Sequence, residues 1–462
     1  MSSLMVGGAT SSAGKSLIVA AICRILAKRG YDVAPFKAQN MSLNSYVTKK
    51  GKEIAIAQAY QAFAAGIEPD ERMNPILLKP KGNFVSQLVV MGEAVGDIDS
   101  RRYYDETGWL KRVVEDAYTS LAEDYEVVVI EGAGGMAEIN LYERDLANIH
   151  IARFAKPKII IVGDIDRGGV FASLFGTFSL LPEDIRKMVE GFIINRLRGR
   201  EDILYVGIMQ LEKLTGIPVL GVLPFLNYNF PSEDSLNIDE WKNEGIIGIV
   251  RLPRISNFTD FEFIKKYIRF LSLNSGIDGC EVIIIPGTKD TVADLIELKK
   301  SRLGEEIIKS EVPVIGICGG YQIMGKEIVD HGIEHGKIRI KGLGLLDAVT
   351  RFENYKKRTV QVVKKVRGNA VILDKIAGQD VWGYEIHKGV TESWNPVFED
   401  EGCVSEDGMR WGTYLHGLFW NSNVVEALGK YLDVKIEKEY DWVEVIAEEV
   451  EKRVNLETIL DF

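Results

Sequence analysis

The sequence predicts an α/β protein built as two three-layer domains joined by a linker, and three observations carry that prediction. The chain has 462 residues, about three times the ~150 residues of a typical domain. Short apolar runs bounded by glycine or proline ("SLMVGG", "DVAPFKA", "EVVVIEG", "KIIIVGD", "GFIINR", "PVLGVLP") alternate with helix-length segments, the mark of βαβ units around a buried parallel sheet. A polar, turn-rich stretch, "PSEDSLNIDEWKNEG" from Pro231 to Gly245, then interrupts the pattern before a second series opens with "IIGIVRLPRISN", "CEVIIIPGT" and "VPVIGICGG". The expected boundaries are 1–235, a linker over 236–250, and 251–440.

Composition is that of a globular chain, 46% hydrophobic and 27% charged. A formal charge of −11 argues against a general nucleic-acid or anionic-membrane binder but leaves room for a local basic pocket. No signal peptide or membrane-spanning run is expected; the longest uncharged stretch, Leu214 to Ser232, is broken by Pro218, Pro224 and Pro231. Cys23, Cys280, Cys318 and Cys403 lie far apart with no C-x-x-C spacing, which points to a reduced, cytoplasmic setting.

The first element is a strand running into "VGGATSSAGKS", Val6 to Ser16, and then a helix from about Lys15. A strand, glycine-rich turn and helix N-terminus aim backbone N–H groups at one point, which suits a polyphosphate. Lys15 would reach the outer phosphates, and the Ser16 hydroxyl would be a Mg²⁺ ligand. The usual phosphate loop has four residues between its glycines; here Gly8 and Gly14 are separated by five. Downstream, the strand "VVVIEGAGG" ends in Glu131, the natural second carboxylate for that metal. "PFKAQNMSLNSYVT", "NPILLKPKG" and "DIDRGG" each read either as polar surface loops or as the lining of a substrate pocket at the carboxyl end of a parallel sheet.

The loop from Gly8 to Ser16 resembles that of dethiobiotin synthetase and its relatives, with "EGAGG" as their second motif. The resemblance implies ATP bound by Gly8, Thr10, Gly14, Lys15, Ser16 and Asn195, with Mg²⁺ at Ser16 and Glu131, serving to activate a carboxylate. For Asn195, in "IINRLRG", a strand-end cap remains an equal alternative to an adenine contact. Taken together, "PFKAQNMSLNS", "NPILLKPKG" and "DIDRGG" look like the cobyric acid synthase family. That resemblance implies a substrate pocket with Lys37, Gln39, Asn40, Asn44, Lys79, Asp166 and Arg167, and basic side chains such as Lys81, Arg101, Arg102 and Arg196 to meet an acidic substrate.

In the second half, "VPVIGICGGYQ" places Cys318 between Gly316 and Gly320 at the end of a buried strand, the cysteine counterpart of a G-x-S-x-G elbow. A thiolate nucleophile needs a base, and His416 in "GTYLHGLF" follows a short strand. "PGTKDT" after an apolar strand would supply an oxyanion N–H at Gly287. This order is similar to class I glutamine amidotransferases, whose G-x-C-x-G-x-Q is matched by Gly316, Cys318, Gly320 and Gln322. The resemblance implies that Cys318 attacks glutamine, His416 moves the proton, Gly287 and Gly319 serve the oxyanion and Gln322 helps hold glutamine.

Position 418, where most of that class carries a glutamate, is Leu418. This agrees with the cobyrinic and cobyric acid branch and leaves the orienting group for His416 open, with Glu385 and His387 as candidates. His331 and His335 read as a solvated loop rather than a metal site. Ile446, Val450 and Val454 at i, i+4 and i+8 predict a helix over 441–462 packing one face on the second domain.

Ammonia is lost to water unless a second site consumes it, and a carboxylate is inert to ammonia until phosphorylated, so the two motifs explain each other. The family resemblance implies amidation of the b, d, e and g carboxylates of adenosylcobyrinic acid a,c-diamide, with one glutamine and one ATP each. The rival readings are the a,c-diamide synthase, which shares both domains, a partitioning-type switch ATPase, which would lack the cysteine elbow, and a cell-wall amidotransferase subunit, which would lack the ATP half.

Overall fold

The computed structural model describes residues 2–82, 85–99, 103, 107–226, 244–355, 357–436 and 442–460. The chain divides into two compact units, Met1–Ser42 with Glu53–Pro231 and Tyr440–Phe462, and Leu43–Lys52 with Ser232–Glu439. Most of the expected linker, 236–243, lies outside the described residues.

The first unit is built on a six-stranded parallel sheet in the order Val219–Pro224, Val189–Leu197, Lys158–Asp164, Ser2–Gly8, Val127–Glu131, Val33–Phe36. Successive side chains of a strand face opposite ways, and here both faces are buried. Met5, Val128, Ile130, Ile159 and Ile161 enter one core, while Leu4, Val6, Val127, Val129 and Ile160 enter another. Thr107–Asp124 and Val170–Leu180 cover the first face with Leu110, Val114, Leu121 and Leu174; Lys15–Lys28 covers the second with Ile18, Ile22 and Ile25. The carboxyl ends of five strands therefore present Lys37, the Gly8–Ser16 loop, Glu131, Asp164 and Asn195 on one edge of the sheet. A small four-stranded sheet of Gln39–Met41, Ile76–Gly82, Val85–Val90 and Glu93–Asp99 belongs to the same unit.

The expected partner of the C-terminal helix is corrected. Trp442–Arg453 packs on Lys15–Lys28 of the first unit, with Ile446 and Val450 in the core of its second face. Arg24 lies 3.2 Å from Glu444, and Arg29 lies 3.0 Å from Glu451 and 2.9 Å from Glu457. The Asn455 N–H donates to the Leu220 carbonyl, and a Cβ at Gly221 would come within 2.3 Å of the Arg453 carbonyl oxygen. The i, i+4, i+8 pattern specifies an apolar face but not what covers it.

The second unit carries a sheet in the order Ile268–Leu271, Ile247–Val250, Val282–Ile285, Val314–Ile317, Arg410–Thr413, Cys403–Val404, parallel except for its last pair. Ile247–Val250 falls inside the expected linker and is corrected to a sheet strand, its residues packed in the core. Two smaller sheets follow, a mixed one of four strands and an antiparallel one of three that pairs Asp380–His387 with Leu415–His416. Leu43–Lys52, which sequence places in the first domain, is part of this unit. Among the described residues no helix is long and apolar enough to cross a membrane.

Candidate active sites

In the first unit the helix Lys15–Lys28 starts at Gly14, which is left-handed at φ 97°. A Cβ there would also meet the Asn195 amide nitrogen at 2.2 Å, so glycine is required twice over. Gly8 needs its missing side chain for a different reason: a Cβ would lie 2.9 Å from Lys15 Nζ. Lys15 is folded back across the loop, donating to the Gly134 carbonyl at 2.8 Å and to that of Thr10 at 3.4 Å. The two motifs are thus joined, the lysine of the loop resting on the backbone of "EGAGG".

Glu131 is fully buried and holds the centre of a polar knot. Its Oε1 accepts from Ser16 Oγ at 2.7 Å and Lys37 Nζ at 2.8 Å, while Oε2 accepts from Gln61 at 2.5 Å and Gln58 at 3.2 Å. Burial would raise its pKa, but the Lys37 charge and these hydrogen bonds outweigh it and hold the carboxyl below its ordinary value. Asn40 Nδ2 extends the knot by donating to Gln58 Oε1 at 3.0 Å. Asn195 braces the loop, its amide donating to the Ala13 carbonyl at 2.9 Å. A buried carboxylate beside a hydroxyl at the end of the loop is a hard-oxygen donor set that fits Mg²⁺.

The expected substrate pocket is brought together only in part. Lys37 and Asn40 join the Glu131 knot, and Gln39 accepts from the Tyr103 hydroxyl. Lys79 is buried in an ion pair with Glu53, apart from the Glu131 knot. Asn44 is buried and belongs to the second unit. Asp166 pairs with Arg198 at 2.6 Å, and Arg167 approaches the buried Asp164 at 3.8 Å, with Arg196 at 2.9 Å from the same oxygen. Lys81 pairs with Asp97 at 2.7 Å, while Arg101 and Arg102 lie outside the described residues.

In the second unit Cys318 caps the helix Gly319–Met324 with φ 53° and ψ −108°, a strained conformation for a residue with a side chain. The flanking glycines serve close approach instead. A Cβ at Gly316 would lie 2.7 Å from the Tyr321 backbone, and one at Gly320 would lie 1.8 Å from the Ile285 carbonyl oxygen. The Cys318 N–H is held by the Thr413 carbonyl at 2.8 Å. Gly287 sits beside the base: a Cβ there would be 3.4 Å from His416 Cε1. Gln322 is buried, donating to the Tyr414 hydroxyl at 2.9 Å and accepting from Thr291 at 3.1 Å, so its side chain braces the elbow.

His416 is buried with Nδ1 2.7 Å from Asp260 Oδ2, and the other Asp260 oxygen accepts from the Gly417 N–H at 2.9 Å. Burial alone would lower the imidazole pKa. The Asp260 carboxylate, with the Cys318 sulfur on the other side, overcomes it and pushes the value up to about 10. Glu385 is committed elsewhere: despite its burial, His387, Arg358 and Lys364 pull its pKa down to about 2. His387 stacks on Tyr414 with 3.6 Å between ring centroids. Glu401 accepts from the Thr413 hydroxyl at 2.6 Å and the Tyr414 N–H at 2.7 Å, and burial raises its pKa to about 7. His335 Nδ1 lies 2.8 Å from Asp290, and no cluster of His, Cys, Asp or Glu able to hold a metal is found among the described residues.

Sequence reasoning passed over Asp260, Gln58 and Gln61. The glutamines left a signal, two amides at i, i+3 in the otherwise apolar helix "IAQAYQAFA". Asp260 left a weaker one, an acid among the aromatics of "NFTDFEF".

Comparison with known proteins covers both units. Residues 4–234 match the family model of a CobQ/CobB/MinD/ParA nucleotide binding domain, and residues 246–424 match that of a CobB/CobQ-like glutamine amidotransferase domain. The chain is 75% identical over 459 residues to a protein of Archaeoglobus fulgidus described as "Probable cobyric acid synthase", covering 99% of each. It is 52% identical over 478 residues to a protein of Methanosarcina mazei with the same description, covering 99% of this chain and 98% of the other.

Proposed function

This chain belongs to the cobyric acid synthase family, and from that premise we propose that it amidates the b, d, e and g carboxylates of adenosylcobyrinic acid a,c-diamide. The enzyme class is an ATP-dependent, glutamine-hydrolysing amide ligase. The observation that supports the chemistry best is the Cys318 elbow facing a histidine that a buried carboxylate holds charged.

Cys318 as thiolate attacks the carboxamide carbon of glutamine, and the backbone N–H groups of Gly287 and Gly319 receive the oxyanion. The His416 imidazolium gives its proton to the departing nitrogen, releasing ammonia and leaving a glutamyl thioester on Cys318. Neutral His416 then takes a proton from water, whose oxygen attacks the thioester to give glutamate and restore the thiolate and imidazolium pair. Asp260 fixes the tautomer and stabilises the charge throughout. In the first unit Lys15, the N–H groups of the loop and the helix start hold the nucleotide phosphates, and Ser16 and Glu131 would hold Mg²⁺, whose charge offsets that of the phosphates. The γ-phosphoryl group passes to a substrate carboxylate, and ammonia displaces phosphate to form the amide. Lys37, bonded to Glu131, and Asn40, bonded to Gln58, are the groups we assign to receive that carboxylate.

The four cysteines are unpaired, in keeping with a reducing cytoplasm. Mass spectrometry of corrinoid products after incubation with ATP, Mg²⁺ and glutamine tests the assignment. The a,c-diamide should gain four amides. Two amides added to cobyrinic acid, with none on the a,c-diamide, would assign the chain to the a,c-diamide synthases, and no amide on either would leave a nucleotide switch.

A further inference from the structure

Within the second unit His416 is held by more than Asp260. Tyr384 lies opposite it in the antiparallel pairing of Asp380–His387 with Leu415–His416, and the two rings stack with centroids 5.3 Å apart and planes 19° from parallel. Stacking constrains the plane of the imidazole while the Asp260 bond fixes its in-plane direction, so together they leave one orientation. Tyr384 is itself fully buried, and its hydroxyl donates to the backbone carbonyl of Ser45 at 2.8 Å.

Ser45 comes from the segment Leu43–Lys52, which is separated in sequence from the rest of the second unit, Ser232–Glu439, by the bulk of the first. The same segment reaches the other support of His416. The Ser45 N–H is 3.4 Å from Asn257 Oδ1, and the Asn257 carbonyl accepts from the Asp260 N–H at 3.1 Å at the start of the short helix that carries Asp260. Tyr46 packs edge-on against Tyr384 at 5.6 Å and stacks on Trp420 at 6.3 Å. Gln361 clamps the segment by donating to the Tyr46 hydroxyl at 3.0 Å and the Val47 carbonyl at 2.8 Å.

We propose that Leu43–Lys52 is a strap that positions the glutaminase base, acting through Tyr384 and the Asn257 turn on the two supports of His416. Tyr384 is the positioning residue of this device, acting through the imidazole of His416. The strap continues without a break from Lys37, Gln39 and Asn40, the residues tied to the Glu131 knot or beside it, so the orientation of His416 depends on a segment whose preceding residues belong to the amidating site. The inference rests on the assignment of Cys318 and His416 as the glutaminase pair.

The test uses the full chain, with two assays on each variant: glutamate release from glutamine, and amidation with free ammonia in place of glutamine. Tyr384→Phe keeps the ring and loses the bond to Ser45. It is expected to lower kcat for glutamate release about tenfold with KM for glutamine within twofold, a misorientation effect rather than a binding one. Tyr384→Leu removes the stacking as well and should lower it further. Tyr46→Ala, which loosens the strap, should reproduce the Tyr384→Phe loss, while Tyr46→Phe, which keeps the ring packing, should recover most of it. Ammonia-dependent amidation at the wild-type rate in all four reports that the fold is intact. Glutaminase kcat within twofold of wild type in Tyr384→Phe, Tyr384→Leu and Tyr46→Ala would overturn the strap. Cys318→Ala run alongside separates the two ideas: undiminished glutamate release there removes the glutaminase assignment itself, whereas its loss beside normal Tyr384 variants removes only the strap.

Discussion

The phosphate loop and the cysteine elbow are both glycine-rich turns from a strand into a helix, yet they place positive φ differently relative to the functional side chain. In the loop positive φ falls on Ser12 at 60° and on Gly14 at 97°, both before the helix, and the functional side chains Lys15, Ser16 and Lys37 are bonded to protein partners. In the elbow the positive φ falls on Cys318 itself, and the glycines beside it only make room for neighbouring backbone. The difference matches the task. A loop that must wrap a polyphosphate needs cations and N–H groups in a pre-satisfied arrangement that a charged ligand can take over. A nucleophile must instead be held in one exposed direction, and the surrounding packing sustains the strain that does so.

Four substitutions break or sharpen that contrast. Cys318→Ala should abolish glutamine-dependent amidation, by at least about 10⁴-fold, while amidation with high free ammonia persists; equal loss with both nitrogen donors would contradict the nucleophile. Lys15→Ala should cut ATP-dependent amide formation by about 10³-fold with either donor and leave basal glutamine hydrolysis, so wild-type amidation would remove the loop's role.

Asp260→Asn is expected to lower glutaminase kcat by about 10²-fold by freeing the imidazole. It also has a pH signature. Because folding raises the His416 pKa from 6.5 to about 10, that interaction stabilises the fold fully below about 6.5 and is lost as pH rises towards 10. The stability gap between wild type and Asp260→Asn, measured by urea unfolding, should therefore be wide at pH 6 and narrow towards pH 10. A gap that does not change would deny the charged pair. The smallest effect is at Glu401, whose carboxyl is raised from 4.5 to about 7. The wild-type fold loses that contribution as pH climbs through 7, so Glu401→Gln should gain on wild type between pH 5 and pH 8 by at most about 2–3 kcal/mol. Parallel stability curves would show that Glu401 titrates normally.

The two proposed reaction centres could be named from sequence because each is a local pattern. Spacing alone marks Lys15, Ser16 and Cys318, and a histidine after a strand marks His416. Asp260 was hidden because its partner is 156 residues away, and no local rule links an acid in an aromatic turn to that base. The pairing of Lys79 with Glu53 was hidden for a related reason, since no local rule links the two across 26 residues. The C-terminal helix shows the limit of periodicity, since Ile446 and Val450 declare a face and leave its neighbour open. The amides and hydroxyls of residues 43–48 likewise declared a polar role without saying in which unit they would be spent.

The return of residues 442–460 to the helix Lys15–Lys28 bears on how the protein is made. An N-terminal domain ordinarily completes its core while the ribosome is still translating the downstream domains. Here the face carrying Ile18 and Ile22 awaits Ile446 and Val450, which emerge after the whole of Ser232–Glu439. The nucleotide-binding half thus completes this face only after the second unit has been synthesised, and splitting the gene between codons 226 and 244 would give two fragments, each lacking a piece that the other encodes.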